Sequence, residues 1–198
     1  MKITKELLRE KGACAAGYRD FLKEFPEDKY PEGVEYQELL DCCAEKNFEY
    51  GTWLLEVFGR TDDVRRIDGD LITEKSIIFA GRLEVTGRIK AGCGIEAGGG
   101  IEASWGIKAG WGIKAGCGIK AGGGIEASWG IEAGGGIEAS WGIEAGWGIE
   151  AGCGIKAGDE FGIYAGLRVK VTSESRKIIA KTKPENIMCG EFVEAKDE

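Results

Sequence analysis

From Leu71 onward the chain places an aliphatic residue at every sixth position, through Leu71, Ile77, Leu83, Ile89 and each following hexad to Ile155. Between these positions one phrase recurs: Ile, a charged residue, Ala, Gly or Ser, a variable residue, Gly, as in "GIKAGWGIKAGCGIKAGGG" (106–124). A helix cannot use this repeat, because six is far from a multiple of about 3.6 and the glycines would weaken every turn. An even period preserves the alternation of a strand, with Ile and Ala on one face and the charge on the other, while Gly supplies the corners. Short strands joined by corners at a fixed period predict a parallel β-solenoid, whose coils are stable only when stacked on one another.

The charged slot sets the coil size. Grouping residues 18 apart stacks Glu102, Lys120, Glu138 and Lys156 in one column, and Glu96, Lys114 and Glu132 in a second. Opposite charges on adjacent rungs attract, so these alternating columns favour three hexads per coil. A coil of two hexads gives the poorer column Lys90, Glu102, Lys114, Glu126, Glu138, Glu150.

The variable slot holds Trp, Cys or Gly. Successive coils carry Cys93, Gly99 and Trp105, then Trp111, Cys117 and Gly123, then Trp129, Gly135 and Trp141, then Trp147 and Cys153. Unbroken alternation would turn this slot inward with Ile and Ala, and the mixture of large and small residues would then conserve core volume. On that expectation Trp129→Ala opens a cavity. If the corner reverses the parity, Trp111, Trp129 and Trp147 form an external ladder, and with Trp105 and Trp141 they become the candidate partner-binding residues.

The first 59 residues follow a different pattern. Thr4 and Gly12 bracket one short helix; "ACAAGYRDFLKEF" sets Ala15, Tyr18, Phe21 and Leu22 on one face before Pro26. Tyr36, Leu39, Leu40 and Cys43 form a second stripe, and Tyr50, Trp53, Leu54, Val57 and Phe58 a third. Four short amphipathic helices sharing a core are predicted, with Trp53 and Cys14, Cys42 and Cys43 as packing residues. Beyond Gly158 the register slips by two at "DEFG", with resumption expected at Ile163 and Val169. Leu167, Val169 and Val171 read as a terminal strand. An open solenoid end is an exposed strand edge, so "KIIAK" and "EFVEA" are expected to cap it or to pair with a second subunit. The organisation predicted is a helical domain over 1–59, a solenoid over 60–166 and a C-terminal cap or oligomerisation segment over 167–198. The fold class is α+β.

Composition narrows the chemistry. The 198 residues carry a formal charge of −8, and residues 1–59 alone hold 8 basic against 13 acidic side chains. Such a balance argues against a surface built to grip phosphate backbones, so no direct nucleic-acid binding is expected and a protein partner is. No stretch approaches the ~20 apolar residues of a membrane helix. Seven cysteines without a CxxC pair fit reduced thiols in the cytoplasm. Histidine is absent, which removes the commonest general base and metal ligand. "GCGIEA" (92–97) matches the form GxGxxA only because the repeat regenerates it. No catalytic, metal or cofactor residues are assigned, and a non-enzymatic protein is expected.

The repeat is similar to hexapeptide-repeat proteins with triangular coils, and "IDGDLITEKSIIFAGRLEVTGRI" resembles bactofilin-type right-handed solenoids. Here Gly precedes the aliphatic residue and a charge follows it, which departs from the usual hexapeptide motif and leaves handedness open. Hexapeptide acyltransferases rely on a His and a loop excursion, and neither is found in this repeat. "ACAAGYRDF" and "WLL" resemble a short helical module of uncharacterised bacterial and phage proteins. These resemblances imply two functions. One is a rigid rod that docks sterically on a cytoplasmic partner, as an anti-CRISPR-like inhibitor of a nucleic-acid-handling defence complex would. The alternative is a self-assembling, bactofilin-like scaffold.

Overall fold

A computed structural model describes residues 1–47, 49–170 and 173–195. The six-residue period folds as anticipated, into a parallel β-solenoid of about seven coils with three strands in most of them. Sheet 1 runs from Leu71–Thr73 through Ile107–Ala109 to Ile187–Cys189, and sheet 2 from Ile77–Phe79 through Ile113–Ala115 to Glu191–Glu194. Sheet 3 runs from Val64–Ile67 through Ile119–Ala121 to Ile155–Lys156. Every residue in the repeat lies over the residue 18 positions away, as in Ile107 over Ile125 and Lys120 between Glu102 and Glu138.

The interior is a stack of Ile and Ala. Ile95, Ile131 and Ile143 are fully buried, and each alanine of the repeat from Ala91 to Ala157 is buried beside them. Because identical side chains meet rung on rung, each coil packs the next with the same shape. Through the middle of the rod each coil packs chiefly on its neighbours, so stability there is approximately a sum over interfaces.

Helices α1 (Lys5–Glu10), α2 (Ala15–Glu24), α3 (Tyr36–Lys46) and α4 (Gly51–Phe58) form the N-terminal unit. Thr4 caps α1 by accepting the Leu7 N–H, and Asn47 ends α3 in the left-handed region. Tyr36, Leu39, Leu40, Cys43 and Leu54 fill its core, and Trp53 packs against it. The expectations for α2 are corrected in part. Ala15 and Leu22 are exposed, and Cys14 lies outside the core, at the N-cap, where its Sγ accepts the Gly17 N–H.

The sequence pattern does not disclose how the helical unit meets the rod. Ile78 and Ala80 belong to the helical core, so the first strand of sheet 2 is shared between the two parts. Gln37 of α3 fixes the register, donating to Ile78 O and accepting the Ala80 N–H.

At the other end the register slips by two residues and resumes at Ile163, which pairs with Ile143. Resumption at Val169 is overturned: Leu167 and Val169 lie in a turn, and the chain returns to sheet 2 only at Ile178, opposite Ile149. Val171, the third residue of that expected strand, lies outside the described residues. Lys177–Ala180 and Glu191–Glu194 pair with each other and extend sheet 2 within the chain. Among the described residues no helix is long and apolar enough to cross a membrane.

Candidate functional site

The corner chemistry decides where the tryptophans go. After each inward Ala comes Gly, or Ser at 104, 128 and 140, and the Cα–H of these glycines faces along the rod onto the preceding coil. A Cβ built on Gly110 would meet Gly92 O at 1.9 Å, and one on Gly122 would meet Ser104 O at 2.0 Å. Each such glycine uses up one position without presenting a side chain to either face, and the next side chain points outward; Ser104 and Ser140 in the same slot are exposed. The inward, volume-filling reading of the tryptophans is therefore overturned. Trp111, Trp129, Trp147, Trp141 and Trp105 are 37–65% exposed.

Stacking by 18 gives the three edges of the rod different character. The edge between sheets 1 and 2 carries Cys93, Trp111, Trp129 and Trp147 in succession. Its indoles stack almost parallel, Trp111 on Trp129 at 5.5 Å and 8°, and Trp129 on Trp147 at 5.6 Å and 10°. Main-chain bonds hold this spacing, since the Trp129 N–H donates to Trp111 O at 3.2 Å and the Trp147 N–H to Trp129 O at 3.3 Å. The edge between sheets 3 and 1 is gapped, with Gly123 between Trp105 and Trp141. The third edge, between sheets 2 and 3, carries Gly99, Cys117, Gly135 and Cys153 in this slot.

Beside the ladder a groove of about 400 Å³ runs along sheet 2. The indoles form its wall and Glu96, Lys114, Glu132 and Glu150 its floor; Thr52 of α4 stands at one end and Glu174, Ser175 and Lys177 at the other. The Thr52 hydroxyl donates to the Glu96 carboxylate at 2.7 Å, and burial under α4 pushes the Glu96 pKa up. Lys114 reaches Glu56 of α4 at 3.2 Å and Glu132 at 4.0 Å.

Two other hollows are chemically plainer. A wider groove of about 1050 Å³ crosses sheet 3 between Arg60–Val64 and Thr182–Asn186. Its floor alternates Glu102, Lys120, Glu138 and Lys156, with Arg82 2.6 Å from Glu102 and Lys120 3.8 Å from Glu138, so it neutralises itself. An apolar pocket of about 290 Å³ lies among the helices, lined by Phe21, Leu39, Cys42 and Trp53 among others. Burial pushes the Cys43 thiol at this pocket up to about 12, which keeps it protonated.

All five candidate tryptophans lie on two edges, and the structure joins three of them into one continuous surface. Sequence reasoning missed Phe161, which stacks on Trp141 at 6.2 Å. The two-residue slip hid it, because Phe161 follows Trp141 by 20 positions rather than 18. The acidic pairs Glu126 with Glu144 and Glu132 with Glu150 were also missed, though the spacing of 18 exposes both.

Residues 1–61 match a family described as the YdhT N-terminal domain. The match covers the helical unit and ends before the repeat. No curated protein and no solved structure matches the chain.

Proposed function

We propose that this chain is a non-catalytic docking protein whose solenoid presents the Trp111–Trp129–Trp147 ladder and its groove to a protein partner. One observation carries the reading: three large indoles are spent on the surface at adjacent rungs of one edge, where the same slot takes only Gly or Cys on the edge between sheets 2 and 3. Contiguous exposed aromatic area of this kind is characteristic of binding surfaces, and Trp is prominent among residues that dominate interface energies. A rigid rod also lowers the ordering cost of binding, since its surface exists before the partner arrives. Steric occlusion of the partner is the mode of action this surface supports, and the inhibitor role inferred from the sequence is one instance of it.

The test replaces Trp111, Trp129 and Trp147 together by Ser, in a chain whose fold is checked by circular dichroism. Loss of the protein that co-purifies with the wild-type chain from host lysate supports docking through the ladder, and undiminished recovery refutes it. A second reading, end-to-end assembly into a scaffold, draws on the terminal position of Val64–Ile67 and Leu71–Thr73 in their sheets, where strand edges can recruit further strands. Concentration-dependent filaments by light scattering would favour it.

A further inference from the structure

The charges that bracket the ladder change sign along it. At the first rung Trp111 stands between Lys108 and Lys114, at the second Trp129 stands between Glu126 and Glu132, and at the third Trp147 stands between Glu144 and Glu150. Parallel pairing sets Lys108 over Glu126 over Glu144 on sheet 1, and Lys114 over Glu132 over Glu150 on sheet 2. The two lysines serve the second rung: Lys108 lies 2.7 Å from Glu126, and Lys114 lies 4.0 Å from Glu132. Below the third rung the partners are Tyr164 and Ile179, which carry no charge.

Glu144 and Glu150 therefore each face a carboxylate on one side and an uncharged residue on the other. Like charges directly opposed across neighbouring strands are unfavourable. Both side chains are exposed, and neither forms an ion pair among the described residues. Arg168 comes close, its N–H donating to Gly146 O at 2.9 Å, yet its side chain pairs with neither acid. Trp147 stacks on Trp129 through one face. Among the described residues the cations over rings lie elsewhere, Arg9 over Tyr18 and Arg65 over Phe79. On sheet 3, by contrast, the Glu84–Glu102 step is bridged by Arg82, at 3.1 Å and 2.6 Å.

From this we infer that the third rung, Glu144–Trp147–Glu150, recognises a cationic side chain, so that the partner docks through a basic segment bearing arginine or lysine. A guanidinium or ammonium placed against the indole gains cation–π attraction, and the two flanking carboxylates offer charge-assisted hydrogen bonds. The same group relieves the Glu126–Glu144 and Glu132–Glu150 repulsions, so binding and relief act together. The inference rests on the docking role proposed for the ladder and names the chemistry of its partner.

The experiment titrates the full chain with nona-arginine, nona-glutamate and an uncharged Gly-Ser peptide, following tryptophan fluorescence and heat. Since a chain of net charge −8 attracts any polycation, the control is a charge-matched pair far from the ladder. Glu144→Gln/Glu150→Gln is compared with Asp62→Asn/Glu185→Gln, and Trp147→Ala is measured beside them. The expected result is nona-arginine binding that weakens roughly tenfold or more in the Glu144/Glu150 pair and in Trp147→Ala but changes little in the control pair. Nona-glutamate and the uncharged peptide should not bind. Equal losses in both charge pairs, equal binding of the uncharged peptide, or no nona-arginine binding by the wild-type chain would each overturn the inference. Partner recovery that depends on the ladder tryptophans but is indifferent to Glu144→Gln/Glu150→Gln would leave docking standing and remove the basic chemistry alone.

Discussion

Trp129 is the middle plank of the ladder, and replacing it by Ala separates the two ways a tryptophan can stabilise a solenoid. It is 47% exposed and touches indoles on both faces, at 5.5 Å and 5.6 Å. Each stacked contact contributes about 0.5–1.5 kcal/mol beyond area burial, so Trp129→Ala should lose about 1–3 kcal/mol in stacking. Trp147→Ala removes one contact and should lose about half as much. Ile131→Ala, in the core one strand further on, is the comparator: Ile131 is fully buried, and its truncation should cost about 2–5 kcal/mol through a cavity. Chemical unfolding gives the three costs, and ultraviolet absorption gives the geometry. Face-to-face indoles with nearly parallel transition dipoles lose absorption intensity, so the native chain should absorb less per tryptophan than the unfolded chain. Trp129→Ala leaves Trp111 and Trp147 two rungs apart and should abolish the ladder's share of this hypochromism, whereas Trp147→Ala should leave the share that comes from Trp111 and Trp129. Hypochromism unchanged by Trp129→Ala, or a Trp147→Ala cost that matches Trp129→Ala, would refute the stacked, outward ladder.

Lys120→Glu puts three glutamates in register at 102, 120 and 138 and should lower stability by about 1 kcal/mol at low salt, an effect that added salt erases in thermal melts. Glu96 has a raised pKa in the folded chain, chiefly through burial, so the folded state binds its proton more tightly than the unfolded state does. Its contribution therefore improves as pH falls from neutral through that raised pKa, and Glu96→Gln should raise the melting temperature at neutral pH and remove this acid-side gain. Thiol labelling of the native chain should modify the exposed Cys14 and Cys153 first and reach the buried Cys43 only on unfolding, as mass spectrometry of labelled peptides would show.

The solenoid was legible because its period is commensurate with strand alternation and because a register of 18 pairs Lys120 with glutamates on both sides. The four helices were legible from ordinary stripes and from the Thr4 cap. Three features were hidden for separate physical reasons. The outward turn of the tryptophans depends on Gly110 and its equivalents pointing along the rod, a direction that neither the two-residue nor the helical period represents. The turn at Leu167 and Val169 looks like a strand because alternation alone does not say whether a neighbouring edge is within reach; that edge is taken up by Ile178 instead. The docking of α3 on the rod rests on Ile78, which occupies the slot filled by charges through most of the repeat, and on Gln37, which pairs with backbone rather than with any side chain readable at a distance.

Since Ile stacks on Ile and Ala on Ala through the middle of the rod, the surfaces above and below any such coil are nearly the same. An in-frame duplication or loss of one coil would join surfaces that already fit, so a single recombination event within the repeated tract can lengthen or shorten the protein without a new core having to be found. The same event adds or removes one plank of the ladder and one pair of flanking charges. The length of the tryptophan ladder is thus inherited as a copy number, open to selection in whole steps, while the helical head at one end stays untouched.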